Sequence, residues 1–377
     1  MPARSYFMYN DEIAPNIPMG PSISLHALRY GVGCFETMRG EPASIKSDGI
    51  PFLSDHLERL YDGIRYLTGI HHPESIDSYP APKTWIHNLN RLAEHATLTN
   101  VLCVIRFQVW IEDHLGFHPD PAPDIHHLIE IREYTSCSES STKTHTPQRN
   151  EPVDLCFVPH QTVPTKSRPA HLKLSNMLHY RDAFRTALSF GASDAILCSC
   201  DGYLAETAIA NLFWYQNGTV FTPSPDTHIL PGITRNRLLA AFRKEGIPCE
   251  EGRYTPDALE HADAVWVTNS LREILPVGSI VEALMQPEVS SSTPATPETQ
   301  TTPTTPTTST RQTTPTQQAT PTMPSTPTMP STPATPTTSN RQTTPTQPRK
   351  TRLIKRYAHH PILDQAHECY QQAKKAQ

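Results

Sequence analysis

The sequence predicts an α+β fold in two unlike parts: a small α/β domain at the N-terminus and a larger domain built on a barrel-like mixed sheet. Three observations carry this expectation. Apolar runs of strand length and one amphipathic helix occupy residues 1–133. Beyond residue 152, two hairpin signals with few helices argue against a doubly wound parallel sheet. Between them, over 134–152, the chain turns polar and gathers Ser, Thr and Pro, the composition of an interdomain linker.

The elements follow in order. Residues Ser5–Tyr9 and 34–39 read as short strands. Ser54 is the expected N-cap of a helix that places Leu57, Leu60, Ile64 and Leu67 on one face. Residues 101–110 and 125–131 are apolar strands. In the second part, 177–190 reads as a helix closed by Gly191 at the position that favours glycine. Strands 195–198 and 203–205 flank Asp201-Gly202, and strands 211–215 and 219–222 flank Asn217-Gly218. A helix spans 234–245, Thr255-Pro256 opens a shorter one, and strands cover 264–268 and 274–280. The large domain is expected over 153–286, and an amphipathic stretch from Leu353 to Tyr370 reads as a C-terminal helix, within 350–377, packed on it.

Residues 287–349 break this pattern. Of 38 prolines in the chain, 14 lie between Pro287 and Pro348, among Thr, Ser, Gln and Ala. The run TPTTSTRQTTPTQ from Thr305 returns as TPTTSNRQTTPTQ from Thr335, and TMPSTP occurs twice in tandem. So little apolar surface cannot offset the entropy of ordering, and the sequence predicts a disordered insertion.

Composition excludes several function classes. A net charge of -5 offers no basic footprint for nucleic acid. No apolar run approaches the ~20 residues that span a bilayer, and the N-terminus has no signal-like apolar core. The eight cysteines are scattered, with no C-x-x-C pair, so free thiols, no metal site and a cytoplasmic location are expected.

Chemistry concentrates in a few positions. Lys173 stands among apolar residues just before a helix. An amine there, withdrawn from water, is a potential Schiff-base nucleophile, although most lysines are simply surface charges. Glu206 and Asn211 lie in ETAIAN, where a carboxylate is suited to a pyridine nitrogen or to a solvated strand end. Gly232-Ile233-Thr234 opens a helix whose free N–H groups and positive dipole end suit a phosphate, or whose Thr234 is an ordinary cap. Thr268, Asn269 and Ser270 follow a strand and offer further donors, or form a plain turn.

The runs HLKLSNMLHYRDA, GASDAILCSCDGYLAETAIANLFWY, FTPSPDTHILPGITR and ADAVWVTNSLREILPV resemble the class IV, or fold type IV, aminotransferases. The N-terminal YGVGCFETMRG and FLSDHLERL are similar to the small-domain signatures of that family. The resemblance spans residues 5–285 and implies a pyridoxal 5'-phosphate enzyme acting on an amino acid and a 2-oxo acid, as a homodimer. Carried over by position, Lys173 forms the Schiff base and Glu206 pairs with the ring nitrogen. Asn211 supports the same site. Arg59 binds the phosphate as a charged fork, with Ile233, Thr234, Asn269 and Ser270. Tyr30, Phe35, Thr37 and Arg39 line the substrate pocket, and Arg106 takes a substrate carboxylate or pairs with a surface acid.

One departure separates subtypes. Branched-chain enzymes of the family place a tyrosine five residues after the lysine, where this chain has Leu178, with Asn176 three residues after. That pattern is closer to the D-amino-acid aminotransferase and aminodeoxychorismate lyase branches. Tyr180 takes over the tyrosine's role only if the backbone differs locally. A transaminase, a lyase that releases pyruvate and an interaction protein on an idle fold are therefore the competing readings.

Overall fold

The computed structural model describes residues 5–14, 30–40, 49–70, 80–96, 98, 101–112, 123–134, 151–284 and 350–376. Most of the expected linker at 134–152 and all of the insertion at 287–349 lie outside them. The first part is β1 (Ser5–Tyr9), β2 (Glu12–Ala14), β3 (Gly33–Gly40), α1 (Leu53–Thr68), α2 (Pro82–His95), β4 (Cys103–Glu112) and β5 (Asp124–Glu133). Its five strands form one antiparallel sheet in the order β2-β1-β5-β4-β3. Alternation sends Cys34 and Met38 of β3, and Ile105, Phe107 and Val109 of β4, to one face. There they meet Leu57, Leu60 and Ile64 of α1 and Trp85, Leu89 and Leu92 of α2. Ser54 does not cap α1, because Phe52 takes the cap position with φ 57° and Ser54 falls in the first turn.

The second part is β6 (Val153–Gln161), α3 (Leu178–Ser189), β7 (Asp194–Cys198), β8 (Leu204–Thr207), β9 (Asn211–Gln216), β10 (Thr219–Pro223), α4 (Ile233–Lys244), β11 (Cys249–Gly252), α5 (Asp257–His261), β12 (Ala264–Asn269), β13 (Glu273–Ala283), β14 (Thr351–Arg356) and α6 (Pro361–Lys375). Strands β9, β12, β13, β6, β7 and β8 run in that order, and β8 returns to β9. This closes a six-stranded mixed barrel, as the hairpin signals predicted. The Asn217-Gly218 turn has φ of 49° and 87°, positive at both central residues as a right-twisting two-residue hairpin needs.

Leu212 and Trp214 of β9, with Val265 and Val267 of β12, fill the barrel interior. Phe213 and Trp266, one residue out of phase, face Leu238, Leu239 and Phe242 of α4 and Ile362, Leu363 and Ala366 of α6. The C-terminal stretch departs from expectation: residues 351–356 are a strand, and the helix begins only at Pro361. Strand β14 pairs antiparallel with β13, so tertiary pairing overrides the apparent helical periodicity there, and Pro361 sets the helix start. Cys34, Cys103, Cys156, Cys198, Cys200, Cys249 and Cys369 are free thiols. Among the described residues no helix is long and apolar enough to cross a membrane, and no group of three or more metal-binding side chains converges.

Candidate active site

Lys173 owes its position to its two neighbours. Leu172 and Leu174 are buried in the core of the first sheet, each contributing about 1.5–3 kcal/mol by leaving water. The segment is bound to β3: the Phe35 N–H donates to Lys173 O at 2.9 Å and the Ser175 N–H to Gly33 O at 2.8 Å. Extended backbone alternates its side chains, so burying both leucines turns Lys173 the other way, into a cavity of about 1350 Å³. Its Nζ lies 4.8 Å from the Phe35 ring centroid and has no hydrogen bond or carboxylate partner among the described residues. Burial, reinforced by the charge of Arg59, brings the ammonium from its ordinary range down to about 8.

Glu206 lies in the same cavity where the barrel closes, since Glu206 and Asn211 are the residues through which β8 and β9 pair. Its Oε1 accepts from the Tyr180 hydroxyl at 2.6 Å, and its Oε2 from the Leu230 N–H at 3.1 Å and Asn211 Nδ2 at 3.3 Å. Burial still wins over these donors and raises the carboxyl to about 7. Asn211 Nδ2 also donates to Leu230 O at 2.8 Å, tying the strand to the approach of α4. Gly232 caps α4, and a β-carbon there would collide with Asn211 Oδ1. Ile233 and Thr234 then form the first helical turn at the cavity wall.

Arg59 comes from α1 and reaches the cavity with its guanidinium already held. Nε donates to Glu36 Oε1 at 2.6 Å and Nη2 to Glu36 Oε2 at 2.8 Å, while Nη1 lies 3.4 Å from Pro231 O. His56 Nδ1 lies 2.7 Å from the same carboxylate. Burial pushes Glu36 up, but Arg59 and His56 outweigh it and hold the carboxyl at about 2. The fork in this geometry keeps N–H groups for an anion, and it is rigid before the anion arrives.

Phe35, Thr37, Arg106, Asn269 and Ser270 also line this cavity. Tyr30 is 45% exposed and lies outside the lining. Arg39 lies outside it as well, its Nη1 donating to Leu271 O at 3.1 Å. Arg106 does not pair with the acid opposite it in register, Glu130, which lies 3.3 Å from Arg132. Its guanidinium instead covers Phe35 at 4.0 Å and binds Gln108 Oε1 through Nη2 at 2.8 Å. Gln108 Nε2 in turn donates to Ser175 Oγ at 2.9 Å.

The sequence reading did not single out Glu36, His56 or Gln108. Strand alternation carried a signal for the first: Glu36 shares the inward phase of Cys34 and Met38, where an unpaired carboxylate is untenable. Tyr180 does not stand in for the tyrosine that Leu178 replaces. Its hydroxyl is on Glu206, and Leu178 is 80% exposed.

The residues fit pyridoxal phosphate. The cavity presents an unpartnered lysine amine, a buried carboxylate, a half-used guanidinium and a helix N-terminus. Thr268 Oγ1, in the same wall, is buried with no hydrogen-bond partner among the described residues, so it is a donor in wait of an acceptor.

Comparison with known proteins shows the family and the fold. Residues 33–280 match the family model for amino-transferase class IV. A branched-chain-amino-acid aminotransferase of Salmonella typhimurium is 33% identical over 283 residues, covering 73% of this chain and 84% of the relative. An aminodeoxychorismate lyase of Bacillus subtilis is 28% identical over 263 residues, covering 68% of this chain and 80% of the relative. Among solved structures, the branched-chain amino acid aminotransferase from Escherichia coli superposes with a TM-score of 0.61 at 23% identity, over 73% of this chain and 85% of that one.

Proposed function

The chain belongs to the class IV aminotransferase family, a family of pyridoxal phosphate enzymes, and from that premise we propose that it moves an amino group between a small amino acid and a 2-oxo acid in a ping-pong cycle. The observation that carries this reading is the joint presence of the Lys173 amine and the Glu206 carboxylate in one cavity. When bound, pyridoxal phosphate supplies an electrophilic carbon for an amine and a ring that accepts electrons.

The chain's own groups do the rest. Lys173 Nζ is deprotonated at mildly basic pH, and it accepts the substrate α-proton and returns it on the far side of the transfer. Glu206 holds a proton on the ring nitrogen, with Tyr180, Asn211 and the Leu230 N–H fixing its two oxygens. Arg59, the Ile233 and Thr234 amides, Thr268, Asn269 and Ser270 hold the phosphate. Arg106, aligned by Gln108 and backed by Phe35, takes the substrate carboxylate, with Thr37 beside it in the wall. The protein around Lys173 keeps bulk water from its amine, which the lowered basicity of that group reflects.

A second reading, 4-amino-4-deoxychorismate lyase, is favoured by Leu178, which points to solvent where branched-chain enzymes carry a tyrosine. The same Lys173 proton transfer would then accompany pyruvate release. The test is a half-reaction. Loaded protein is mixed with a panel of amino donors of both hands, and separately with aminodeoxychorismate. A transaminase shows donor-driven loss of the cofactor's aldehyde absorbance. Pyruvate from aminodeoxychorismate with no donor response would leave the lyase. Borohydride reduction should place the cofactor label on Lys173, and a label on another lysine would refute both.

A further inference from the structure

The C-terminal helix α6 follows the Thr/Pro-rich insertion, and nothing in its sequence connects it to the cavity. The structure connects it at three points. The Tyr370 hydroxyl lies 3.4 Å from Oγ1 of Thr234, in the first turn of α4. Its ring lies against Phe52, the residue that caps α1, with centroids 5.7 Å apart. One turn on, Lys374 Nζ is 2.7 Å from Glu273 Oε1, and Gln371 Nε2 is 3.4 Å from Glu273 Oε2. Glu273 closes the β12–β13 turn, pairing with Asn269. Thr268, Asn269 and Ser270 of that turn face the cavity.

We propose that α6 is a brace for the anion-binding corner of the cavity, with Lys374 and Tyr370 as positioning residues that hold the β12–β13 turn and the first turn of α4 in fixed relation to one another. The inference rests on the cofactor reading above and assigns the phosphate of that cofactor as the group whose binding depends on the brace.

The physical case begins at Glu273. It has φ 61°, a left-handed conformation that a side chain with a β-carbon resists. The carboxylate is almost wholly buried, at 2% exposure, and Lys374 at 13% is nearly as dry. An ion pair so removed from water is a strong tie, because its loss takes the charged contact from a buried carboxylate that Gln371 also holds. Without Lys374, the left-handed Glu273 loses its charged tie to the last turn of α6, and the β12–β13 turn gains freedom to move relative to that helix. Asn269 Oδ1 accepts the N–H groups of Leu271 and Arg272 at 3.1 and 2.8 Å, so the turn moves as one piece. The helix itself is fixed by Ile362, Leu363, Ala366 and Cys369 packed on α4 and Trp266. That packing lets its last two turns act as a rigid arm.

The test uses the full chain with its cofactor removed. Absorbance titrations give the affinity for pyridoxal phosphate and for pyridoxal, which lacks the phosphate. Lys374→Met should weaken pyridoxal phosphate on the order of tenfold, as expected for a charged hydrogen bond, and leave pyridoxal within about twofold. Lys374→Arg should restore most of the loss. Tyr370→Phe, which removes one hydroxyl and keeps the ring packing, should lower the preference for the phosphorylated vitamer by about threefold; it decides the matter if the Met variant does not fold. Equal weakening of both vitamers, or no weakening in the folded variants, would overturn the brace. Failure of the cofactor reading looks different: the unsubstituted protein itself would not prefer pyridoxal phosphate to pyridoxal.

Discussion

At the scale of single residues, the site depends on charges that the protein has already withdrawn from water. Lys173 is lowered to about 8 first by burial and then by Arg59. Its reactive neutral form therefore grows as pH rises through about 8, well below the ordinary lysine value of 10.5. The rate at which cofactor-free protein captures pyridoxal phosphate should climb between pH 6 and 9 and level off above, as stopped-flow absorbance would show. A rate still climbing steeply past pH 10.5 would mean an ordinary surface lysine. The same shift has a stability sign. Between about 8 and 10.5 the unfolded chain binds the proton that the folded chain has released, so this lysine makes stability rise with pH across that window. Glu36 is lowered too, but there the charges of Arg59 and His56 outweigh burial and hold the carboxyl at about 2. Glu36→Gln leaves the Arg59 guanidinium buried without its counter-charge, which should lower stability by about 3–5 kcal/mol in urea titrations. A loss under about 1 kcal/mol would show that the fork stands without it.

At the scale of elements, α1 has to lie close to β3 for Arg59 to reach Glu36, and Gly63 permits it. A β-carbon on Gly63 would stand 2.9 Å from Cys34 Cβ and 3.0 Å from its Sγ. Helix propensity alone favours Ala over Gly by about 0.8–1.0 kcal/mol. Packing should reverse that sign, and Gly63→Ala is expected to destabilise by about 1–3 kcal/mol, read from denaturation midpoints. A stabilised variant would show that α1 can step back without loss. Such contacts explain what the sequence disclosed and what it withheld. Strands β3, β4 and β5, the Asn217-Gly218 hairpin and the helix behind Lys173 were legible, because each has a local pattern of alternation, turn residues or apolar stripe. The grouping of Lys173, Glu206, Arg59 and α4 was legible through motif order. Strand β14 was misread as helix because its evidence is non-local, residing in β13. The Glu36–His56 pair was missed because a polar residue on a core face is explained only by its partner across the packing. Tyr30 and Arg39, placed at the substrate by resemblance alone, do not reach the cavity wall.

At the scale of the whole molecule, the cavity is assembled from both sheets at once. The Lys173 segment is hydrogen-bonded to the edge of the first sheet, Glu206 closes the barrel, and Arg59 spans from α1 to the approach of α4. Both sheets belong to one compact unit with the C-terminal residues. The pairing of β13 with β14 sets the residues that flank the insertion side by side, Ala283 opposite Thr351. Loop-closure entropy grows only as the logarithm of contour length, so one more thirty-residue unit between those ends costs the fold about 0.3 kcal/mol. Excising residues 305–334 should thus leave the melting temperature within about 1 °C by calorimetry, where a drop of several degrees would reveal contacts with the body of the protein. The anchored hairpin makes copy number nearly neutral: whatever register slippage adds or removes there, selection acting through thermal stability has almost nothing to see.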